Sequence, residues 1–333
     1  MPTHETAALI AALGLGRPVT IGQAMDAGLS RGAIRSALIA GDLEKVGRGI
    51  VIPRVDIDSE DHSTSRLDAY SARHPSVTFC SYSAAHLTSL PAPSSPTPRF
   101  LHVVGDRARR RGDVWQHVYP EDVLLTERIK GVNVTESLLT AAAIACDHPL
   151  PLALIAMEAA MRREVIQDAA ASGLVDHSAV QQDAAIATVK HRLDRIIAAF
   201  RGRRGAHRLR EASTVASALS ESPAESYSHG ALITMGYRIR QQIVLTDGDG
   251  MLRRVDFLID DCIAGEVDRL IKYEGVDGRR RLLEEKRRDA ALLAVGVPTA
   301  RWTPAEMRDQ PHRVRHRIEV VRLRHNGARQ SLL

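Results

Sequence analysis

The sequence predicts an α+β chain of several domains, and three observations carry that expectation. At 333 residues the chain exceeds one ordinary domain. Hydrophobic residues make up 44% but aromatics only 4%, so the cores must be built from Ala, Leu, Ile and Val, as in helix-rich packing. Strand-like runs fall in blocks separated by helical ones, most clearly as helix, three strands, helix, strand between Ser222 and Trp302. These patterns place boundaries at 1–55, 56–148, 149–215 and 216–333.

In the first block, Ala7 to Leu15 reads as a short apolar helix. Thr20 precedes a second helix that Gly28 ends, and Ser30 caps a third from Arg31 to Ala40, stopped by Gly41. Two short helices joined through Gly28-Leu29-Ser30 make a helix-turn-helix. Leu43 to Pro53, bent at Gly47 and Gly49, has the shape of a wing, so the block reads as a winged helix-turn-helix. Arg31 and Arg35 stand four apart, opposite Ile34 and Leu38. That gives a basic front on an apolar back, which a major-groove reader needs. Lys45 and Arg48 in the wing suit flanking phosphates.

The second block reads as a small α/β middle. Residues 56–70 are an acidic, polar lead into a helix. Val77 to Cys80, Phe100 to Val104, Trp115 to Val118 and Val123 to Leu125 read as strands. Ser83 to Leu90 reads as a helix, Arg107 to Arg111 as a basic hairpin tip, and Thr135 as the cap of a helix through Ala145. The alanine-rich third block, Leu152 to about Ala218, reads as a helical spacer interrupted at Arg201-Gly202-Arg203-Arg204-Gly205.

The fourth block carries the one tight set of acidic residues. Glu225 lies near the start of a helix, Ile239 to Leu245 is a strand, and Asp247 to Gly250 is a hairpin turn. Met251 to Ile259 and Cys262 to Asp268 are the next strands, Arg279 to Val295 is a helix, and Val297 to Trp302 is the last strand. Asp256 and Glu266 then sit on adjacent strands and meet at one edge, with Glu225 approaching from the helix. Three converging carboxylates repel one another unless a cation lies among them. All-oxygen donors suit Mg²⁺ or Mn²⁺.

Two resemblances follow. The ordered set Glu225, Gln242, Val255-Asp256-Phe257, Glu266-Val267-Asp268 and Arg288-Asp289-Ala290-Ala291-Leu292 resembles the restriction-endonuclease-like superfamily, and more closely its Vsr-like branch. The resemblance covers about a third of the chain. It implies a restriction-endonuclease-like α/β domain and metal-dependent hydrolysis of DNA. In that reading Asp256 and Glu266 hold Mg²⁺, and Glu225 makes a third contact directly or through water. Arg269 stands where that branch has Gly, Lys272-Tyr273 where it has His, and Asp268 where the wider superfamily has its Lys. Lys272 must therefore supply the positive charge, and Arg288 and Asp289 read as structural, a helix residue pair of the kind that locks the helix to the sheet by an ion pair. The N-terminal pattern Q-A-x-x-x-G-L-S-x-x-x-I-R with G-x-L-x-K-V-x-R-G resembles AbiEi-type antitoxins of the type IV toxin–antitoxin class, and Ser83 to Pro91 has the look of their middle part.

Net charge is +5, yet Arg269 to the C-terminus carries 16 Lys/Arg against 8 Asp/Glu. A basic tail beside carboxylates suits a polyanion, here double-stranded DNA. Cys80, Cys146 and Cys262 are scattered, which indicates neither a disulfide framework nor a zinc site. No apolar run of about 18 residues and no basic-then-apolar start is present, so the expectation is a cytoplasmic protein without a membrane segment. Losing the lysine beyond Glu266 favours a regulator without chemistry, an antitoxin-like repressor whose tail grips DNA or a partner. Keeping three carboxylates favours the nuclease. A module that neutralises a nucleotidyltransferase toxin is the third expectation.

Overall fold

The computed structural model describes residues 2–14, 18–47, 49–54, 60–95, 100–171, 183–268 and 275–330. The chain is mixed α+β, with several sheets, and forms two compact units: 1–90 with 94–140, and 91–93 with 141–333.

The first unit begins α1 (Thr3–Gly14), β1 (Val19–Thr20), α2 (Ile21–Asp26), α3 (Arg31–Ala40), β2 (Leu43–Gly47) and β3 (Ile50–Pro53). Thr20 and Gln23 form a reciprocal capping box at α2, and the Ser30 hydroxyl accepts from Ala33 N–H to start α3. Gly41, at φ +84°, ends α3 in a left-handed conformation that a side chain would strain. The strands order β1-β3-β2, all antiparallel. Ile10, Ala24, Leu29, Ile34, Ala37, Leu43 and Val51 make their core. Ile50 and Ile52 pack instead on Ala69 of α4 (Glu60–Arg73), which carries the chain onward.

Next come β4 (Thr78–Phe79), α5 (Ser81–Leu87), β5 (Leu101–Val104), β6 (Arg109–Arg111), β7 (Val114–His117), β8 (Thr126–Ile129) and β9 (Val132–Thr135). They form one sheet ordered β6-β7-β5-β4-β9-β8, with β4–β9 and β5–β7 parallel. Three segments of this sheet differ from the sequence expectation. Residues 107–111 are not a hairpin tip: Arg109 to Arg111 run along the sheet edge, and the chain turns at Gly112, where φ is +61°. Val123 to Leu125 is no strand, because Leu124 N–H is drawn back to Pro120 O. The strand pair starts at Thr126 and turns at Lys130-Gly131, both at positive φ, the geometry a two-residue hairpin prefers. Thr135 therefore ends β9, and α6 (Ser137–Ala145) starts two residues later.

The second unit contains α7 (Leu150–Ala171), α8 (Asp183–Ala199), α9 (Ala206–Val215) and α10 (Pro223–Thr234). Its sheet is built from β10 (Ile239–Thr246), β11 (Leu252–Ile259), β12 (Ile263–Val267) and β13 (Thr299–Trp302), in that spatial order. Helix α11 (Gly275–Ala294) crosses from β12 to the parallel β13, and α12 (Pro304–Asp309) and α13 (Pro311–Gln330) close the chain. The helices read as a spacer thus share a compact unit with this sheet, and α7 packs along α10. Gly230 permits that approach: a Cβ there would lie 2.6 Å from Pro151 Cα. Buried Glu158 on α7 ties the two helices, meeting His229 Nδ1 at 2.7 Å and accepting from Ser220 Oγ at 2.6 Å.

Strand β12 begins at Ile263, one residue later than the sequence suggests, because Asp260 and Asp261 both take positive φ and Cys262 completes the turn. One face of the sheet packs Phe257, Ile259, Ile263, Ala300 and Trp302 against Leu232, Met307, Val314 and Ile318. On α11, Leu292 packs with Val255 and Ala264. Among the described residues, no helix is long and apolar enough to cross a membrane.

Candidate functional site

Strand alternation sets the site. On β13, Ala300 and Trp302 join the core, which turns Arg301 to the opposite face. Glu266 on β12 is the direct register partner of Arg301. The β11–β12 ladder runs from Ile259↔Ile263 to Phe257↔Gly265. Beyond it, Val267 N–H donates to Asp256 Oδ2 at 2.9 Å, so a carboxylate replaces a main-chain acceptor between the strands.

Glu225 reaches this region from the first turn of α10. Ser222 caps that helix, and Pro223 occupies a position where no N–H is needed. Ser222 Oγ donates to Glu225 Oε1 at 2.8 Å, while Glu221 N–H (2.8 Å) and Gln242 Nε2 (3.0 Å) donate to Oε2. Glu225 is thereby a cap acceptor, a role legible in Ser222-Pro223-Ala224-Glu225 once read as a capping signature. Gln242 holds its side chain there at a backbone cost, with φ +51°.

Glu266 is 7% exposed and lies between two guanidiniums: Arg288 Nη2 is 2.6 Å from Oε1 and Arg301 Nη1 is 2.9 Å from Oε2. The Arg288 contact is ionic without an aligned hydrogen bond at Oε1. Arg301 also reaches Asp268 at 3.0 Å and Asp289 at 2.9 Å, joining three acidic residues. Arg254 forms a fork with Glu221, two bonds of 2.9 Å each.

Burial pushes all three predicted carboxylates above their ordinary values. At Glu266 the guanidiniums of Arg301 and Arg288 oppose that rise, and the Asp256 charge adds to it. At Asp256 the Val267 N–H, Arg288 and Arg254 oppose it. At Glu225 the Glu221 N–H and Ser222 oppose it, and the Asp256 charge again adds. Asp256 therefore feels Arg288, Arg254 and Glu221, and its charge is felt at Glu266 and Glu225.

Of the residues read from the sequence, Glu225, Asp256, Glu266 and Asp268 come to one region. Lys272 lies outside the described residues. Arg288 and Asp289 tie α11 to the sheet, Arg288 through Glu266 and Asp289 through Arg301. Arg301 is not legible as a site residue in the sequence because it stands on a short strand far from the acidic run, marked only as one charge in the alternation Thr299-Ala300-Arg301-Trp302.

As arranged, the donors do not fit a divalent cation. Both Glu266 oxygens face guanidiniums, both Glu225 oxygens accept hydrogen bonds, and Asp256 Oδ2 holds Val267 N–H. Among the described residues, no group of three or more His, Cys, Asp or Glu is placed to hold a metal ion.

In the first unit, Arg31 and Arg35 are exposed on α3 while Ile34 and Ala37 are buried. Arg31 Nε lies 3.3 Å from Met25 Sδ. Lys45 is exposed on β2, and Arg48 lies outside the described residues. No family model matches the chain, and no curated protein matches it either.

Proposed function

We propose that the chain is a DNA-binding regulator. Residues 1–55 are a winged helix that reads duplex DNA through Arg31 and Arg35, with Lys45 and Arg48 on the flanking phosphates. Residues 216–333 are a restriction-endonuclease-like domain of the Vsr-like type that grips DNA without cutting it. The exposed arginines of α3, opposite buried Ile34 and Ala37, support the first part. The placement of Glu266 carries the second: its compensating charge comes from Arg288 and Arg301, where a nuclease would place a metal ion. The resemblance to AbiEi-type antitoxins makes a cognate toxin the protein partner.

A second reading, an Mg²⁺- or Mn²⁺-dependent DNA endonuclease, is favoured by one observation. Glu225 and Glu266 are buried and Asp256 is half-buried, the Asp256 charge is felt at both glutamates, and burial raises each of the three above its ordinary value. It requires Arg288 and Arg301 to release Glu266.

Plasmid incubation with Mg²⁺ or Mn²⁺ separates the two. The regulator retards supercoiled plasmid in a gel and leaves it intact. Nicked or linear product that Asp256→Ala abolishes establishes the endonuclease, and no retardation at low salt removes DNA binding altogether.

A further inference from the structure

The three arginines that the sequence presents as a hairpin tip form instead the edge strand β6, and all three are exposed. Their neighbours make this more than a soluble edge. Arg110 is the register partner of Trp115, and Trp115 of His102, so one row crosses three strands. The Arg110 guanidinium lies 3.8 Å from the Trp115 ring centroid and 5.1 Å from that of Phe100. Trp115 stacks on His117 at 4.9 Å, and His117 on His102 at 5.1 Å. This face is therefore aromatic, with Trp115 and His117 half-exposed and the Arg110 guanidinium over the indole at its rim.

Charge completes the picture. Asp113, the acidic residue in the adjoining turn, is engaged by Arg66 at 3.2 Å. Arg109 donates to the neutral Gln116. Among the described residues, Arg110 and Arg111 have no carboxylate partner. An exposed guanidinium over an indole can offer its N–H groups to phosphate oxygens and its outer face to a base.

We propose that β6 and the Arg110–Trp115–His117 face bind single-stranded nucleic acid. The arginines track the sugar-phosphate backbone, and one unpaired base stacks on the Arg110 guanidinium. Duplex DNA cannot offer that base without unpairing, so this surface takes a different form of nucleic acid from α3. The proposal stands on its own residues and does not depend on how duplex DNA is read.

The opposing account is that arginines merely blunt a sheet edge against strand pairing. The chain has two tryptophans, and Trp302 is 1% exposed, so Trp115 is the fluorophore that a ligand reaches. The experiment titrates the full chain with a thymidine oligomer of about a dozen nucleotides, an abasic oligomer of equal length, and a matched duplex. We expect the thymidine oligomer to change tryptophan emission and the abasic one to bind at least about fivefold more weakly. Arg110→Ala with Arg111→Ala should weaken binding about tenfold and lower the log–log salt slope by about 1.4. A folded double variant with unchanged affinity for the oligomer overturns the proposal, whether or not it aggregates faster. Equal affinity for the thymidine and abasic oligomers overturns the stacked base. The double variant Arg31→Ala, Arg35→Ala separates the sites: it should lower duplex binding and leave the response to the single strand unchanged.

Discussion

Replacing Arg301 with Met removes the charge that Glu266, Asp268 and Asp289 share while keeping most of the side-chain volume. Arg301 is 20% exposed and Glu266 only 9% at the side chain, so the carboxylate cannot turn to water for relief. Removing one partner of a buried pair costs about 3–5 kcal/mol, and because Arg288 still faces Glu266 we expect about 3. In a domain of this size that lowers the melting temperature by about 6–12 °C. The deficit should also depend on pH. Burial already raises Glu266, so the folded state holds its proton more tightly than the unfolded chain. A raised carboxyl gives stability that is present below its unfolded value and is lost as pH climbs through its folded value. Arg301 opposes that rise, and without it the folded value climbs further, so the deficit grows from acid pH toward neutrality. Differential scanning calorimetry at several pH values measures this, and Glu266→Gln added to Arg301→Met should restore much of the loss. A deficit under about 1 kcal/mol, or one that is flat with pH, would falsify the clamp as the element that neutralises Glu266.

Three further predictions concern other elements. Glu158→Ala leaves His229 and Ser220 without their buried acceptor and should cost about 3–5 kcal/mol in urea unfolding; a loss below 1 would mean that α7 and α10 are held by apolar packing alone. Arg31→Ala with Arg35→Ala should cost about 1–3 kcal/mol of discrimination for each lost base contact, and a gel-shift titration with unchanged affinity and preference removes α3 from the reading role. Lys286→Gln with Arg287→Gln, both exposed on α11, should flatten the salt dependence of duplex binding by roughly 1.8 in log–log slope, whereas an identical slope shows that α11 does not touch the backbone.

What the sequence made legible follows from local chemistry. The caps Thr20 and Ser30 and the stop at Gly41 are short-range signals, so the N-terminal helices were readable to within a few residues. The order α10, β10, β11, β12, α11, β13 was readable because strand alternation and the Asp-Gly turn are also local. Strand β8 is not legible because Thr126 to Ile129 is exposed along an edge and lacks an apolar alternation, whereas β9 does alternate in Val132-Asn133-Val134-Thr135 but is only four residues long. The carboxylates were legible as a set, but their neutralisation was not. Arg301 meets Glu266 through a parallel pairing across a whole crossover helix, and no spacing rule links two residues brought together that way.

Isothermal calorimetry with Mn²⁺ on the full chain tests the central claim most directly, because it asks whether Glu266 has a vacancy for a cation. With Arg288 and Arg301 in place, the account predicts no saturable Mn²⁺ binding at millimolar ion, and no difference between the wild-type chain and Asp256→Ala. Saturable binding that Asp256→Ala abolishes would contradict it and return the C-terminal domain to the metal-dependent nucleases.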